Sequence, residues 1–408
     1  MMPRRVAVTG IGIVSAFGDT FGEFWTGIAA GVSAIRPMSL VPEGSVRFPN
    51  AAEAAHFDPA KHFEGKEADF LDRFAQFAVV AAREAIQGSG LKITPELGPR
   101  TAIITGSSAG GQATKDDGFR SLYALRQTRV SPLTIPRVMA NAGASQISRE
   151  FGITGPVYTV STACSSANHA IGQAFWMVRD GVVDVALAGG SEAPFSLGFL
   201  KSWEALRVVS PDTCRPFSRD RRGLILGEGA GMLVLEPLEV ARARGAPVWG
   251  EIAGFGMSSD AHHLTQPLAA GAAQAMRAGL ADAGAPPEAI GYINAHGTGT
   301  PSNDPTECEA IRMVFGPHAD KLLVSSTKSM HGHALGAAGA LEAAATLGAL
   351  RGGIIPPTAN FTERDPVYDL DAVPNHSRCA EIEWALSNSF AFGGLNAVLV
   401  FRMERPQR

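Results

Sequence analysis

Residues 156–190 read PVYTVSTACSSANHAIGQAFWMVRDGVVDVALAGG, and the reading of this stretch decides the fold class. A β-like run, PVYTV, meets a turn of small and hydroxyl residues, STACSS; the helix-like SANHAIGQAFWMVRDG (166–181) follows, and then a second β-like run, VVDVALAGG (182–190). Strand, helix, strand at this spacing is an α/β pattern. Working outward, GEGAGMLVLE (227–236) supplies a further strand. In the second half HALGAAGALEAAATLGALRGG (333–353) leads to the strand-like IIPPT, and FGGLNAVLVF (392–401) closes the pattern. Arg179 and Arg351 stand 172 residues apart, Glu228 and Gly393 stand 165 apart, so the second half repeats the first. The expectation is two pseudo-symmetric α/β halves, residues 1–247 and 248–408, joined near Gly245 to Pro247. Their long Ala/Gly-rich helices suit a buried central layer, because small side chains let helices pack close to their neighbours. The charged, Pro-containing stretch 44–75 reads as a surface excursion, with a helix beginning near Phe70.

The 408 residues are more than one hydrophobic core usually organises. An apolar fraction of 45% with 18% charged residues excludes a disordered chain. A net charge of -4 argues against an electrostatically driven nucleic-acid binder. The four cysteines, Cys164, Cys214, Cys308 and Cys379, are scattered without a CxxC pair, which fits a reducing, cytoplasmic setting and removes zinc-ribbon readings. Arg4 and Arg5 before VAVTGIGIV imitate the start of a secretory signal, but no A-x-A-like cleavage site follows. No apolar stretch of about 18 to 20 residues occurs, so a soluble protein without a membrane span is expected.

Several motifs compete for the chemistry. Gly10 and Gly12 after a β-like run resemble the start of a dinucleotide fingerprint, but Ser15 stands at the third glycine position, and a tight strand-to-helix turn explains them as well. Gly106-Ser107-Ser108-Ala109-Gly110 formally matches the elbow that exposes a hydrolase serine, yet no clear helix starts directly after Ser108. His331 and His333, or His262 and His263, could ligate a metal, although no Cys, Asp or Glu completes a pattern, and no metal is expected. Cys164 differs from these, because its turn lies directly before a helix of about four turns, whose positive end lowers a thiol pKa and makes a nucleophile. A buried, inert cysteine is the competing reading, and it fits Cys308 and Cys379. Possible partners for Cys164 are His296 in INAHGTGTP and His333 in SSTKSMHGHALGAAG, each at a junction of loop with strand or helix, together with Lys328 and Glu342. Such a set calls for thiol-based acyl transfer, with histidines donating to a thioester oxygen.

VSTACSSAN, RPFSRDRRGLILGEGAGMLVLE, NAHGTGTPSND, VSSTKSMHGHALGAAGALE and NSFAFGGLNA together resemble the elongating, type II β-ketoacyl-[acyl carrier protein] synthases of the thiolase superfamily, over nearly the whole chain. The resemblance implies a five-layered αβαβα fold of two duplicated halves and a dimer, with itself or with a chain-length factor. It implies no bound cofactor, since the substrates ride on the phosphopantetheine of an acyl carrier protein. It makes Cys164 the acylated nucleophile, and His296 and His333 the pair that promotes malonyl decarboxylation. Lys328 and Glu342 become a supporting ion pair, and Thr298 and Thr300 contacts of the pantetheine arm. Phe392 becomes the gate whose backbone N–H joins that of Cys164 in an oxyanion hole, with Phe390 beside it. A thiolase would carry a second cysteine near the C-terminus, and a starter-type synthase His and Asn instead of two histidines.

The chain departs from the family pattern at several positions. Ala391 stands where the gate loop usually has Gly, Leu395 where it has Thr, and His331 where it has Thr. Ala109 replaces a bulky Ile at the acyl pocket, which implies room for a longer or stiffer chain. Glu67 and Asp69 fall where basic residues often meet the carrier, leaving Lys66, Arg129 and Arg215 for its acidic surface. HGTGTP and KSWEALRVVSPDTCRPFS resemble polyketide, nodulation and aryl-polyene branches, which favours a specialised fatty-acid or polyene pathway. The alternatives are a non-catalytic chain-length factor, which usually lacks the cysteine, and a hydrolase using Ser108.

Overall fold

The computed structural model describes residues 3–367 and 370–403. Its first strand, β1 (Val6–Val14), is buried along its whole length, so the alternation of a half-exposed strand is absent and the run is apolar except for Thr9, whose hydroxyl donates to Glu236. Among the described residues nine further strands join it in one sheet: β2 (Thr101–Gly106), β3 (Val157–Val160), β4 (Val185–Glu192), β5 (Gly229–Pro237), β6 (Gly250–Ser259), β7 (Ile290–Asn294), β8 (Leu323–Ser325), β9 (Trp384–Ala391) and β10 (Leu395–Arg402). They pair in the order β8-β7-β9-β10-β6-β1-β5-β4-β2-β3. Only Val6, Ala7 and Val8 of β1 pair with β6, and at this joint the run divides into two five-stranded halves. The halves have one topology. In each, the first strand lies antiparallel to the fifth, the fifth antiparallel to the fourth, and the fourth and third flank the second in parallel.

Helices α1 (Arg73–Ser89) and α2 (Ala142–Phe151) cover the outer face of the first half-sheet. Helices α4 (Ala269–Ala283) and α5 (Asn303–Phe315) cover the second. Between the sheets lie α3 (Ser166–Arg179) and α6 (Ala338–Gly352), which touch strands of both halves and each other. Every residue of α6 from Ala338 to Leu350 is buried, as its Ala/Gly content anticipates. This is the five-layered, thiolase-like arrangement of two pseudo-symmetric halves.

Three sequence readings are corrected here. Gly10 and Gly12 lie inside β1, not in a turn; a Cβ on either would come within 2.0 Å of the Ala85 and Ala81 carbonyl oxygens of α1. Gly254 and Gly256 do the same for β6 beneath α4. These glycines let an outer helix lie directly on the first strand of each half, and no phosphate cradle is needed to explain them. IIPPT is not the counterpart of β4 either: Ile354–Ile355 pairs with Arg378–Cys379 in a small separate ribbon, and β9 takes the β4 place. The helix expected near Phe70 begins at Arg73, because the Asp72 side chain accepts from the Phe74 N–H and caps it, while Glu67–Phe70 forms one 3-10 turn.

Candidate active site

The turn after β3 carries Cys164 between Ala163 and Ser165, immediately before α3. Ala163 has φ +49°, a left-handed conformation that costs a non-glycine residue about 1–3 kcal/mol and is held by its surroundings. Hydroxyls do the holding: Ser165 Oγ donates to the Thr162 carbonyl at 2.8 Å, Ser166 Oγ to the Ala163 carbonyl at 2.6 Å, and the Thr162 N–H donates to Ser166 Oγ at 2.9 Å. Asn168 donates from α3 to the Ser387 and Ala397 carbonyls of the opposite half. Gly106 at the end of β2 leaves room for the helix start, since a Cβ there would meet Ser166 and Ala167 backbone within 2.5 Å. The second half repeats the device 172 residues on: Leu335, with φ +47°, precedes a turn and α6, so Gly336 is the counterpart of Cys164.

Cys164, His296, His333, Thr298, Thr300, Phe390 and Phe392 line one cavity of about 440 Å³. The imidazoles of His296 and His333 stand 5.5 Å apart with their planes at 85°. His333 Nδ1 accepts the Leu335 N–H at 3.2 Å, which puts the ring proton of the neutral form on Nε2. The backbone N–H groups of His296 and Gly297 both donate to the Glu307 carboxylate at 2.8 Å, and Asn388 donates to the same carboxylate at 3.1 Å. Lys328 and Glu342 are fully buried and joined Nζ to Oε1. Thr298 and Thr300 share a hydroxyl hydrogen bond of 2.9 Å.

Burial governs the charge states here. It holds the His296 and His333 pKa values well below the ordinary imidazole range, and Lys328 pushes in the same direction. Both rings are neutral N–H donors at neutral pH. Burial also pushes the Cys164 thiol up to about 12, against the pull of Lys328 and of the Phe392 backbone N–H that points at its sulfur. The expectation of a lowered thiol is therefore reversed, because burial raises it and the nearby carboxyls of Glu192 and Glu342 add to the rise. The carboxyl of Glu342 is raised to about 7 by burial, with Lys328 opposing.

Other sequence candidates are placed elsewhere. Ser108 Oγ donates at 2.6 Å to the buried carboxylate of Glu192, which also receives the N–H groups of Ser108, Ala109 and Gly336; among the described residues no histidine bonds to the serine. Ala109 is half-buried on that loop and does not line the cavity around Cys164. His331 turns toward Phe24, 5.9 Å away, so the two histidines of HGH face different neighbours. His262 and His263 lie on an exposed loop; unlike the others, His263 does line the Cys164 cavity, where its Nδ1 accepts from the Thr265 and Gln266 N–H groups. Cys308 is buried as expected, but Cys379 is exposed on the outer ribbon. Lys66 and Arg129 are exposed, whereas Arg215 is mostly covered and paired with Asp212 at 2.8 Å. Sequence reasoning missed Glu307, Glu192 and Trp203. It also missed Arg207 and Arg222, two exposed cations at the cavity mouth that make no ion pair among the described residues.

A buried thiol and two neutral imidazoles where the two halves of a thiolase-like fold meet define an acyl-transferring enzyme of the condensing class. The chain belongs to the β-ketoacyl synthase family: its residues 3–241 match "Beta-ketoacyl synthase, N-terminal domain" and 249–362 match "Beta-ketoacyl synthase, C-terminal domain". It is 47% identical to Nodulation protein E of Rhizobium sp. (strain N33), over 98% of this chain and all of that one. It is 41% identical to 3-oxoacyl-[acyl-carrier-protein] synthase 2 of Coxiella burnetii, over 98% of this chain and 99% of that one. Among solved structures, the ishigamide ketosynthase/chain length factor superimposes with a TM-score of 0.93 at 39% identity, covering 99% of this chain and all of the other. The chain is thus a condensing enzyme of fatty-acid- or polyketide-type synthesis.

Proposed function

We propose that the chain extends an acyl group held on Cys164 by two carbons taken from a malonyl-acyl carrier protein. The observation that carries this reading is the orthogonal pair of neutral imidazoles in the cavity that also holds Cys164. The thiol attacks the acyl thioester while its oxygen takes the N–H groups of Cys164 and Phe392, and the departing pantetheine thiolate takes up the proton that Cys164 gives. The malonyl thioester then binds with its oxygen at His296 and His333, whose N–H groups stabilise the enolate left when CO2 departs. Neutral donors suit this step, since no proton has to be lost first. The enolate carbon attacks the acyl carbon on Cys164, and the Cys164 thiolate leaves. Every residue in this sequence belongs to the chain, and the pantetheine arm passes Thr298 and Thr300 without a bound cofactor.

The acyl carrier protein is the proposed partner, supported by the exposed Arg207 and Arg222 at the cavity mouth, which match its acidic surface better than the covered Arg215. The four free thiols support the reducing, cytoplasmic setting. Among the described residues, no helix is long and apolar enough to cross a membrane. The test is product mass: wild type incubated with saturated and polyenoic acyl-carrier proteins, then malonyl-carrier protein, should give a β-ketoacyl product two carbons longer. Run across pH 6 to 8, the rate should show no acid limb near the ordinary imidazole pKa of about 6.5, because both rings stay neutral below it. An acid limb centred there would mean that the histidines titrate normally and that their proposed role is wrong.

We also propose a dimer, with itself or with a chain-length factor. The strand β3 is an edge strand, and Phe119, Tyr123, Leu125, Ile135 and Met139 are exposed on the segment that precedes it. Sedimentation of the purified chain should give twice its 42.6 kDa, and a monomer that doubles only with a second ketosynthase-like subunit would select the heterodimer.

A further inference from the structure

We infer that Trp203 is a positioning residue for the oxyanion hole, acting through the ring of Phe392; the inference rests on the proposed acyl transfer at Cys164. Phe392 follows the last paired residue of β9, in a turn that the Gly394 N–H closes onto the Ala391 carbonyl at 3.0 Å and in which Gly393 and Gly394 have φ of +85° and +69°, so the backbone bonds hold the glycines and none of them holds the Phe392 N–H. The Gly393 N–H is tied to the Leu264 carbonyl at 2.8 Å, which fixes the far side of the turn. On the near side the backbone N–H of Phe392 lies near enough to Cys164 to pull its thiol pKa down, and the ring is the part of the residue that packs on Trp203. Phe392 is 36% exposed, and its ring lies over Trp203 with centroids 6.2 Å apart and planes at 23°.

Trp203 is itself held. It lies on the helix Leu197–Leu206, is 8% exposed, and takes the edge of Phe199 at 6.3 Å and 83°. A braced indole under a hinge of two glycines makes a seat: with the ring seated, the Phe392 N–H faces the thiol, and with the ring free, the turn can swing the donor away. Trp203 and Phe392 both line the cavity of Cys164, so the seat and the reacting sulfur share one enclosure. No hydrogen bond to substrate is required of Trp203 in this role.

The experiment compares wild type with Trp203→Leu, which keeps bulk without a stacking face, and Trp203→Phe, which keeps the face. Hydrogen–deuterium exchange over the peptide containing Phe392 needs no substrate and reads the seat directly. In Trp203→Leu that peptide should exchange about three- to tenfold faster, the range over which loss of one aromatic pair shifts a two-position equilibrium. The kcat for acyl loading of Cys164 should fall by a similar factor of about three to ten with KM unchanged, and Trp203→Phe should restore both readouts. Exchange at wild-type rate in Trp203→Leu, or a Trp203→Phe variant as impaired as Trp203→Leu, overturns the inference. If exchange changes as expected but wild type takes up no acyl group, the seat stands as described and the acyl-transfer reading is the one that fails.

Discussion

Cys164→Ala is expected to abolish acyl loading: after incubation with any acyl-carrier protein, the intact mass of the variant stays that of the free chain while wild type gains one acyl group. Condensation should fall by a factor on the order of 10⁴ to 10⁶, the loss typical when a covalent nucleophile is removed from a site whose other groups remain. Those other groups predict a second signature. His296 and His333 remain 5.5 Å apart in the emptied cavity, so slow decarboxylation of malonyl-carrier protein should continue without chain extension. The substitution removes only a sulfur whose pKa burial has raised to about 12, so stability should hardly change. Ser108→Ala serves as the contrast, since that hydroxyl meets Glu192 rather than a histidine, and it should load as wild type does. Loading that survives in Cys164→Ala and vanishes in Ser108→Ala would replace the thiol reading with the hydrolase one.

The largest loss of stability is expected from Lys328→Ala. Lys328 and Glu342 are both fully buried, and removing one partner of such a pair leaves the other as an uncompensated charge, at a cost of about 3–5 kcal/mol. The pH dependence has a definite sign. Burial already raises the Glu342 carboxyl to about 7 with Lys328 present, and without the cation it must rise further. A carboxyl whose folded pKa lies above its unfolded value stabilises the fold below the unfolded pKa and loses that contribution as pH rises through the folded one. The variant should therefore lie nearest to wild type at pH 5 and be most destabilised at pH 8. Replacing both partners, Lys328→Met with Glu342→Leu, should recover most of the stability, and His296 and His333 should stay neutral at pH 7 because burial, the larger cause of their lowered pKa values, is unchanged. Equal unfolding midpoints for Lys328→Ala at pH 5 and pH 8 would show that Glu342 finds another partner.

The legible part of this protein was its local and repeated part. The β3 turn, Cys164 and α3 are contiguous, and a strand, a turn of small residues and a helix leave their mark in one short window. The 172-residue offset read from Arg179 and Arg351 holds at the backbone, where Ala163 and Leu335 share the same left-handed turn, because both halves need it to start a central helix between two sheets. The spacing of His296, Lys328, His333 and Glu342 was equally visible, since each sits at or near the end of an element.

Tertiary structure decided the rest, and the reason each time is a contact between elements far apart in the chain. Glu307 supports the His296 loop from a helix whose sequence, NDPTECEAI, shows no sign of the task. Trp203 meets Phe392 across 189 positions, and Glu192 meets Ser108 across 84, so neither partner carries a local pattern. IIPPT looked like a strand of the sheet because local propensity is the same in a ribbon and in a sheet. Gly10 and Gly12 looked like a turn because a sequence does not say which helix will press on a strand. The charge states were the least legible: a helix N-terminus in the sequence suggests a lowered thiol, and only the three-dimensional packing around Cys164 shows the burial that raises it.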